Sequence, residues 1–470
     1  NNANHPSPDP HPPHHVILSR VSSIQTGFPP DANATLSACG DGRAGSGPLP
    51  GAEWAVPGRR ACTHPARLPQ PSGYPVARPG QRSNRRPDTA SEGRHPAMKI
   101  TRLETFLVKP RWLFLRIHTD EGVTGLGEPI LEGRALTCQT AVMEMEPWLI
   151  GQDPTKIVHH WQSIYKHSFY RGGEILTSAL SGVEQALWDI TGKWLGVPVY
   201  RLLGGPTRDR IRMYGTAGGN TPEAAAESIK QAVAMGFNCI KTGVGLRGNG
   251  RVIETAEHTE NVVAIFAAMR EAVGNSVDIA IDFHGAVAPQ TAKRLVKALE
   301  PYHPFFIEEP VQAQNVDVLA DITRSTSIPI ATGERLFTKW GFREVLEKRA
   351  ASILQPDLSH AGGIMETRII AGMAEAYYAA IAPHCPLGPI ALAACIHLDA
   401  SIPNFLAQEG GRITGEGYIK TPYKQVNGYL PLPTAPGLGI DLDDEAIADK
   451  IGHDWQNPKA YAEDGSAIDW

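Results

Sequence analysis

The chain has 470 residues, 42% hydrophobic and 20% charged, with a formal net charge of −5. This is ordinary globular composition, long enough for one large barrel or two to three average domains. It holds no run of 18 or more apolar residues, which speaks against a membrane-spanning helix, and the negative balance speaks against a nucleic-acid partner. The cysteines (Cys39, Cys62, Cys138, Cys239, Cys385 and Cys395) give no zinc spacing and are too sparse for a disulfide scaffold. A reducing cytoplasm is the expected compartment.

Residues 1–97 read differently from the rest. They hold 17 of the 39 prolines, ten Arg against six acids, and no sustained apolar period. Such a segment buries too little apolar area to offset the entropy of ordering it, so a disordered extension is expected. Its best apolar stretch, Val16-Ile17-Leu18, is too short for a secretory signal. Strand-like alternation begins after Met98, which we read as the start of the folded chain.

From 98 to 210 the pattern is α+β. Trp112 to Ile117 reads as a strand and Thr119-Asp120-Glu121-Gly122 as a hairpin turn with Gly in a positive-φ slot. Asp153-Pro154 reads as the cap and first-turn proline of a helix. Leu180, Val183, Leu187 and Ile190 recur at helical spacing and read as core.

From 211 short β-branched runs alternate with helical stretches, the signature of βα units around a parallel sheet. The expected strands are 211–215, 238–242, 277–283, 304–308, 328–333, 352–356, 378–383 and 404–408, with Thr221-Pro222 capping the first intervening helix. Eight such strands close most readily into a barrel, and barrel chemistry sits at the carboxyl ends of the strands. Those ends carry Asp282, Glu308, Glu334, Asp357, His384 and Glu409, separated by 26, 26, 23, 27 and 25 residues. Each interval is one βα unit, so all six side chains share one rim.

Three carboxylates from adjacent strands repel one another unless a cation lies among them, and hard oxygen donors suit Mg²⁺. Two histidines flank them. His284 lies two residues past Asp282, on the same face, and His384 lies one unit after Asp357, where a carboxylate–imidazole dyad is natural. Glu409 is read as a protonated donor to an enolate oxygen or as an acceptor for a substrate hydroxyl.

Several stretches together resemble the mandelate-racemase-like branch of the enolase superfamily. They are Ile307-Glu308-Glu309-Pro310, Gly333-Glu334-Arg335 and the run from Leu354 to Gly363. Within that branch, Arg111-Trp112, the run from Phe169 to Gly173, Asp282-Phe283-His284-Gly285 and the run from Ala382 to Pro389 resemble the D-galactonate dehydratases. The likeness extends from Met98 to Trp470.

The resemblance implies an α/β fold, a modified TIM-type (β/α)7β barrel, over 211–415. It implies an α+β capping domain built from 98–210 with 416–470. It implies Mg²⁺ on Asp282, Glu308 and Glu334, and His384 tuned by Asp357 as the base that removes the proton α to a carboxylate. His284 would protonate the departing hydroxyl and Glu409 would stabilise the intermediate. Arg111, Tyr170, Arg171, Glu309 and Arg335 are the expected substrate contacts, the partner is a small aldonate, and a homo-oligomer is expected.

Relatives in this branch carry Lys-x-Lys on the second strand. Here the run is Lys241-Thr242-Gly243, which leaves no second-strand base and disfavours racemisation. Gly243 and the following loop, Val244 to Ala256, depart from the D-galactonate pattern. Gluconate or a pentonate therefore stays open as the substrate, with a racemase or a catalytically silent barrel further behind.

Overall fold

The computed structural model describes residues 98–243, 253–462 and 464–468. The expected Pro- and Arg-rich extension and most of the loop from Val244 to Ala256 lie outside the described residues. Among the described residues, no helix is long and apolar enough to cross a membrane.

Strands β1 (Ile100–Val108), β2 (Trp112–Thr119) and β3 (Thr124–Gly127) form an antiparallel sheet in that order. The turn into β3 has the expected form, with Gly122 at φ 76° and its N–H on Thr119 O at 3.2 Å. Asp153-Pro154 forms a separate turn, in which Asp153 Oδ1 accepts from Thr155, and the helix begins only at Ile157. The aspartate oxygen is spent on its own turn before the helix can use it.

Helix Glu174–Leu195 buries Leu180, Val183, Leu187 and Ile190 as the periodicity predicts. Its polar face is buried too, because those side chains satisfy backbone groups of other segments. Asp189 accepts from Leu126 N–H at 2.9 Å and Leu438 N–H at 2.7 Å, tying β3 to the C-terminal segment. Glu184 accepts from Ile364 and Met365 at 2.7 and 2.9 Å, capping the first turn of helix Gly363–Ala376. Ser181 Oγ accepts from Gly362 N–H, and Gln185 Nε2 donates to Leu358 O. One helix thus fixes the backbone on both sides of Ser359. Glu128, just past β3, does the same for the start of helix Pro389–Asp399 by accepting from Gly388 and Ala391.

The first expected strand splits. Its early part, β4 (Arg210–Arg212), leaves the main sheet. That sheet runs through β5 (Gly215–Thr216), β6 (Cys239–Gly243), β7 (Asp278–Asp282), β8 (Ile307–Glu308), β9 (Ile330–Thr332), β10 (Ile353–Leu354) and β11 (Ala380–Ile381). All seven are parallel and adjacent in sequence order, and β4 pairs instead with β12 (Tyr429–Pro431). Pro329 has no N–H to give the ladder and β9 begins just after it, while β8 begins at Ile307; both start later than expected. The expected strand 404–408 is not a strand but a line of single bridges. Leu406 N–H bonds Ile381 O at 2.8 Å and Tyr214 N–H bonds Gln408 O at 2.9 Å, so this segment touches both outer edges of a curled sheet. Thr221 caps helix Pro222–Ala234 as expected.

Inside the curl lies a layer of side chains, with Ala280, Phe306, Ala331, Ile353 and Ala382 in one cluster and Tyr214, Cys239 and Ala407 in another. Strand side chains alternate with a period of two. The next inward positions are therefore Lys241, Asp282, Glu308, His384 and Glu409. The fold sets one polar layer directly above the apolar one.

Candidate active site

Asp282, Glu308 and Glu334 each offer an oxygen within 4.8 Å of the others. Asp282 and Glu308 end β7 and β8. Glu334 falls one residue out of step with the alternation, and Gly333 at φ 145° makes the turn that brings it round. Glu308 is fully buried and its Oε2 has no hydrogen-bond partner. A buried carboxylate oxygen left bare carries a desolvation cost that a hard cation would remove. The donor set fits Mg²⁺: three carboxylates, no sulfur, no nitrogen.

The sequence reading passed over Lys241 as a site residue. Its Nζ lies 2.9 Å from Glu308 Oε1, 3.0 Å from Glu409 Oε1 and 3.3 Å from Asp282 Oδ2. Burial by itself would lower the lysine pKa, but Glu308, Glu409, Tyr214 and Asp282 hold it well above the ordinary value. A lysine so fully committed is a fixed charge and no base. Inward spacing two residues after Cys239 was the available signal. The same contact bears on Glu409. Burial raises that carboxyl, but Lys241 and His384 outweigh it and keep it below the usual range. Its Oε2 takes the Cys385 N–H at 2.9 Å.

His384 Nδ1 lies 2.9 Å from Asp357 Oδ2, so the expected dyad is formed. The other ring nitrogen faces the acids, 3.4 Å from Glu334 and 3.9 Å from Glu409. Burial opposes protonation here, but Glu334, the Asp357 hydrogen bond and Glu409 hold the imidazole well above its ordinary pKa. His284 sits across the cluster with its Nε2 3.0 Å from Asp282 Oδ2, and that hydrogen bond raises its pKa despite partial burial. Its ring is 46% exposed, open to the space over the acids. His284 and Glu309 both adopt left-handed backbone, φ 52° and 39°, a strain of about 1–3 kcal/mol each that is characteristic of functional loops.

The expected substrate contacts fare differently. Arg335 Nε donates to Glu309 Oε1 at 3.2 Å and its Nη2 lies 2.5 Å from Glu309 Oε2, so the two form an ion pair with each other. Glu309 is fully buried. They brace the loop after Asp282 rather than presenting free groups. Arg111 donates to Pro386 O at 2.9 Å and lies over the Trp455 ring, supporting the loop that follows His384. Tyr170 and Arg171 do not join the cluster. They lie on the exposed link into helix Glu174–Leu195, Tyr170 edge-on to Phe169 and Arg171 over the Tyr165 ring. The chain turns outward there, with Arg171 and Gly173 at positive φ.

Residues 224–446 match the family model described as enolase C-terminal domain-like, and residues 94–204 match the N-terminal domain of mandelate racemase / muconate lactonizing enzyme. The chain is 49% identical over 384 residues to a D-galactonate dehydratase of Ralstonia pickettii, covering 79% of this chain and 100% of that protein. A D-galactonate dehydratase of Pectobacterium atrosepticum is 46% identical over the same shares. Among solved structures, a mandelate racemase/muconate lactonizing enzyme from Sulfitobacter is similar with TM-score 0.73 and 34% identity, over 79% of this chain and all of that one. A member of the enolase superfamily from Salmonella Typhimurium is similar with TM-score 0.72 and 32% identity, covering 75% and 98%.

Proposed function

Because the chain belongs to the enolase superfamily, in its mandelate racemase and muconate lactonizing enzyme branch, we propose that it dehydrates D-galactonate to 2-dehydro-3-deoxy-D-galactonate. It acts as a hydro-lyase, breaking a carbon–oxygen bond. The observation that carries this reading is the placement of two histidines on one carboxylate cluster, His384 backed by Asp357 and His284 bonded to Asp282.

Asp282, Glu308 and Glu334 would hold Mg²⁺, which when bound offsets the negative charge that builds on the substrate carboxylate as its α-proton leaves. His384 takes that proton on the nitrogen facing the cluster, while Asp357 fixes the tautomer from the other side. His284 gives a proton to the β-hydroxyl, which departs as water, and the resulting enol converts to the 2-keto acid. Lys241 and Glu409 hold the wall of the site as a charged pair. The absence of a free base on β6 supports elimination over racemisation, since racemisation needs proton transfer on both faces.

In this reading the parallel sheet and residues 404–408 make a (β/α)7β barrel over 211–415, supported by the hydrogen bonds from 404–408 to both sheet edges. Residues 98–210 with 416–470 make the cap, supported by the Val108–Ile451 bridge and the Asp189–Leu438 bond. A homo-oligomer is part of the proposal, supported by the adjacent Phe169 and Tyr170 rings, 88% and 91% exposed in the single chain. A cytoplasmic setting suits the four described cysteines, all buried free thiols.

The test is a panel of aldonates with Mg²⁺, read by 2-keto-acid formation. D-galactonate is expected to turn over fastest. Faster turnover of gluconate or a pentonate would reassign the sugar acid, and no keto acid from any of them would end the dehydratase reading.

A further inference from the structure

A second imidazole lies buried behind Asp357. His360 is 3% exposed, and its Nδ1 lies 3.1 Å from Ser178 Oγ. The Ser178 hydroxyl proton goes to Glu174 O at 2.6 Å, so the histidine nitrogen donates in that contact. His360 Nε2 lies 3.3 Å from Glu132 Oε2 and 3.7 Å from Asp357 Oδ2. This nitrogen thus stands between two acids that can both accept from it.

We propose that Glu132 and His360 are positioning residues for the proton abstraction: they fix the Asp357 side chain and, through it, aim His384. The proposal rests on the reading of His384 as the base.

Asp357 is 1% exposed. Its Oδ1 takes the Ser359 N–H at 2.7 Å, and its Oδ2 faces His384 Nδ1 and the His360 ring. The His360 ring stands beside that carboxyl, and Glu132 holds the ring from the other side. Burial lowers the His360 pKa, but Asp357 and Glu132 more than reverse that. Burial likewise raises Glu132, yet the His360 hydrogen bond and the charges of His360, His384 and Arg111 bring it down to about 2. Glu132 follows β3, and Ser178 lies on helix Glu174–Leu195. The contacts therefore run from the N-terminal segment into the site and end on the base.

The experiment is a double-mutant cycle on exchange of the α-proton of D-galactonate in D₂O with Mg²⁺, using His360→Gln, Asp357→Asn and the pair. His360→Gln is expected to slow exchange by roughly 10–100-fold, the scale for groups that orient a working imidazole. KM should move by less than about twofold, because the substrate contacts are untouched. Adding His360→Gln to Asp357→Asn should cost less than about twofold more, since its target is already gone. A wild-type exchange rate in His360→Gln, or the full loss repeated in the double mutant, would overturn the proposal. Glu132→Gln should behave as His360→Gln does, and its own cycle with Asp357→Asn decides the matter if His360→Gln does not fold. Absence of exchange in the wild-type chain is a different failure, that of the base reading.

Discussion

Replacing His384 with Asn is expected to abolish dehydration and also exchange of the substrate α-proton with D₂O. Asparagine preserves a hydrogen-bonding group beside Asp357 but cannot accept the proton, so no enediolate forms. The loss should reach or exceed the roughly 10²–10⁴-fold contribution typical of a positioned acid or base. His284→Asn should separate the two processes. Its ring bonds Asp282 on the far side of the cluster, so exchange continues while elimination falls by about the same order. NMR of the α-proton alongside a 2-keto-acid assay reads both in one sample. If His284→Asn stopped exchange and His384→Asn did not, the two roles would be reversed. If both single mutants kept exchange, each histidine would reach the proton and an epimerase would regain ground.

Chelation of divalent cations should stop turnover altogether, and Glu334→Gln should weaken Mg²⁺ binding by at least about tenfold, or ~1.4 kcal/mol, in calorimetry. The three acids share one small volume, and Lys241 contacts Asp282 and Glu308 but not Glu334 among the ion pairs of the described residues. Glu334 faces the His384 ring nitrogen instead, at 3.4 Å. The chelated protein should stay folded, because Lys241 still offsets the two buried acids, and its circular dichroism should be unchanged. Full turnover in metal-free protein would remove the basis for the whole acid cluster.

The acid cluster was legible because strand ends repeat at one βα unit, so spacing alone gathers Asp282, Glu308 and Glu334, and likewise Asp357 and His384. Core positions such as Leu180 and Ile190 were legible from helical period. Other features resist this kind of reading. The buried polar face of helix Glu174–Leu195 looks like a solvent face until its partners arrive from distant segments, as Ser178 and His360 do from 182 residues apart. Glu309 and Arg335 looked like free polar groups at a site, but strand adjacency turns them toward each other. Tyr170 and Arg171 sit in a stretch that resembles relatives, yet a loop at positive φ carries them to the surface of the single chain. The segment 404–408, expected as an eighth strand, makes single bridges to the sheet edges and not a ladder.

The most direct measurement follows wild-type protein with Mg²⁺ and D-galactonate in D₂O by NMR. The account predicts stoichiometric conversion to the 2-keto-3-deoxy acid with the α-proton lost to solvent, and no conversion by His384→Asn. Accumulation of a C2 epimer without keto acid, or an α-proton that stays in place, would contradict it.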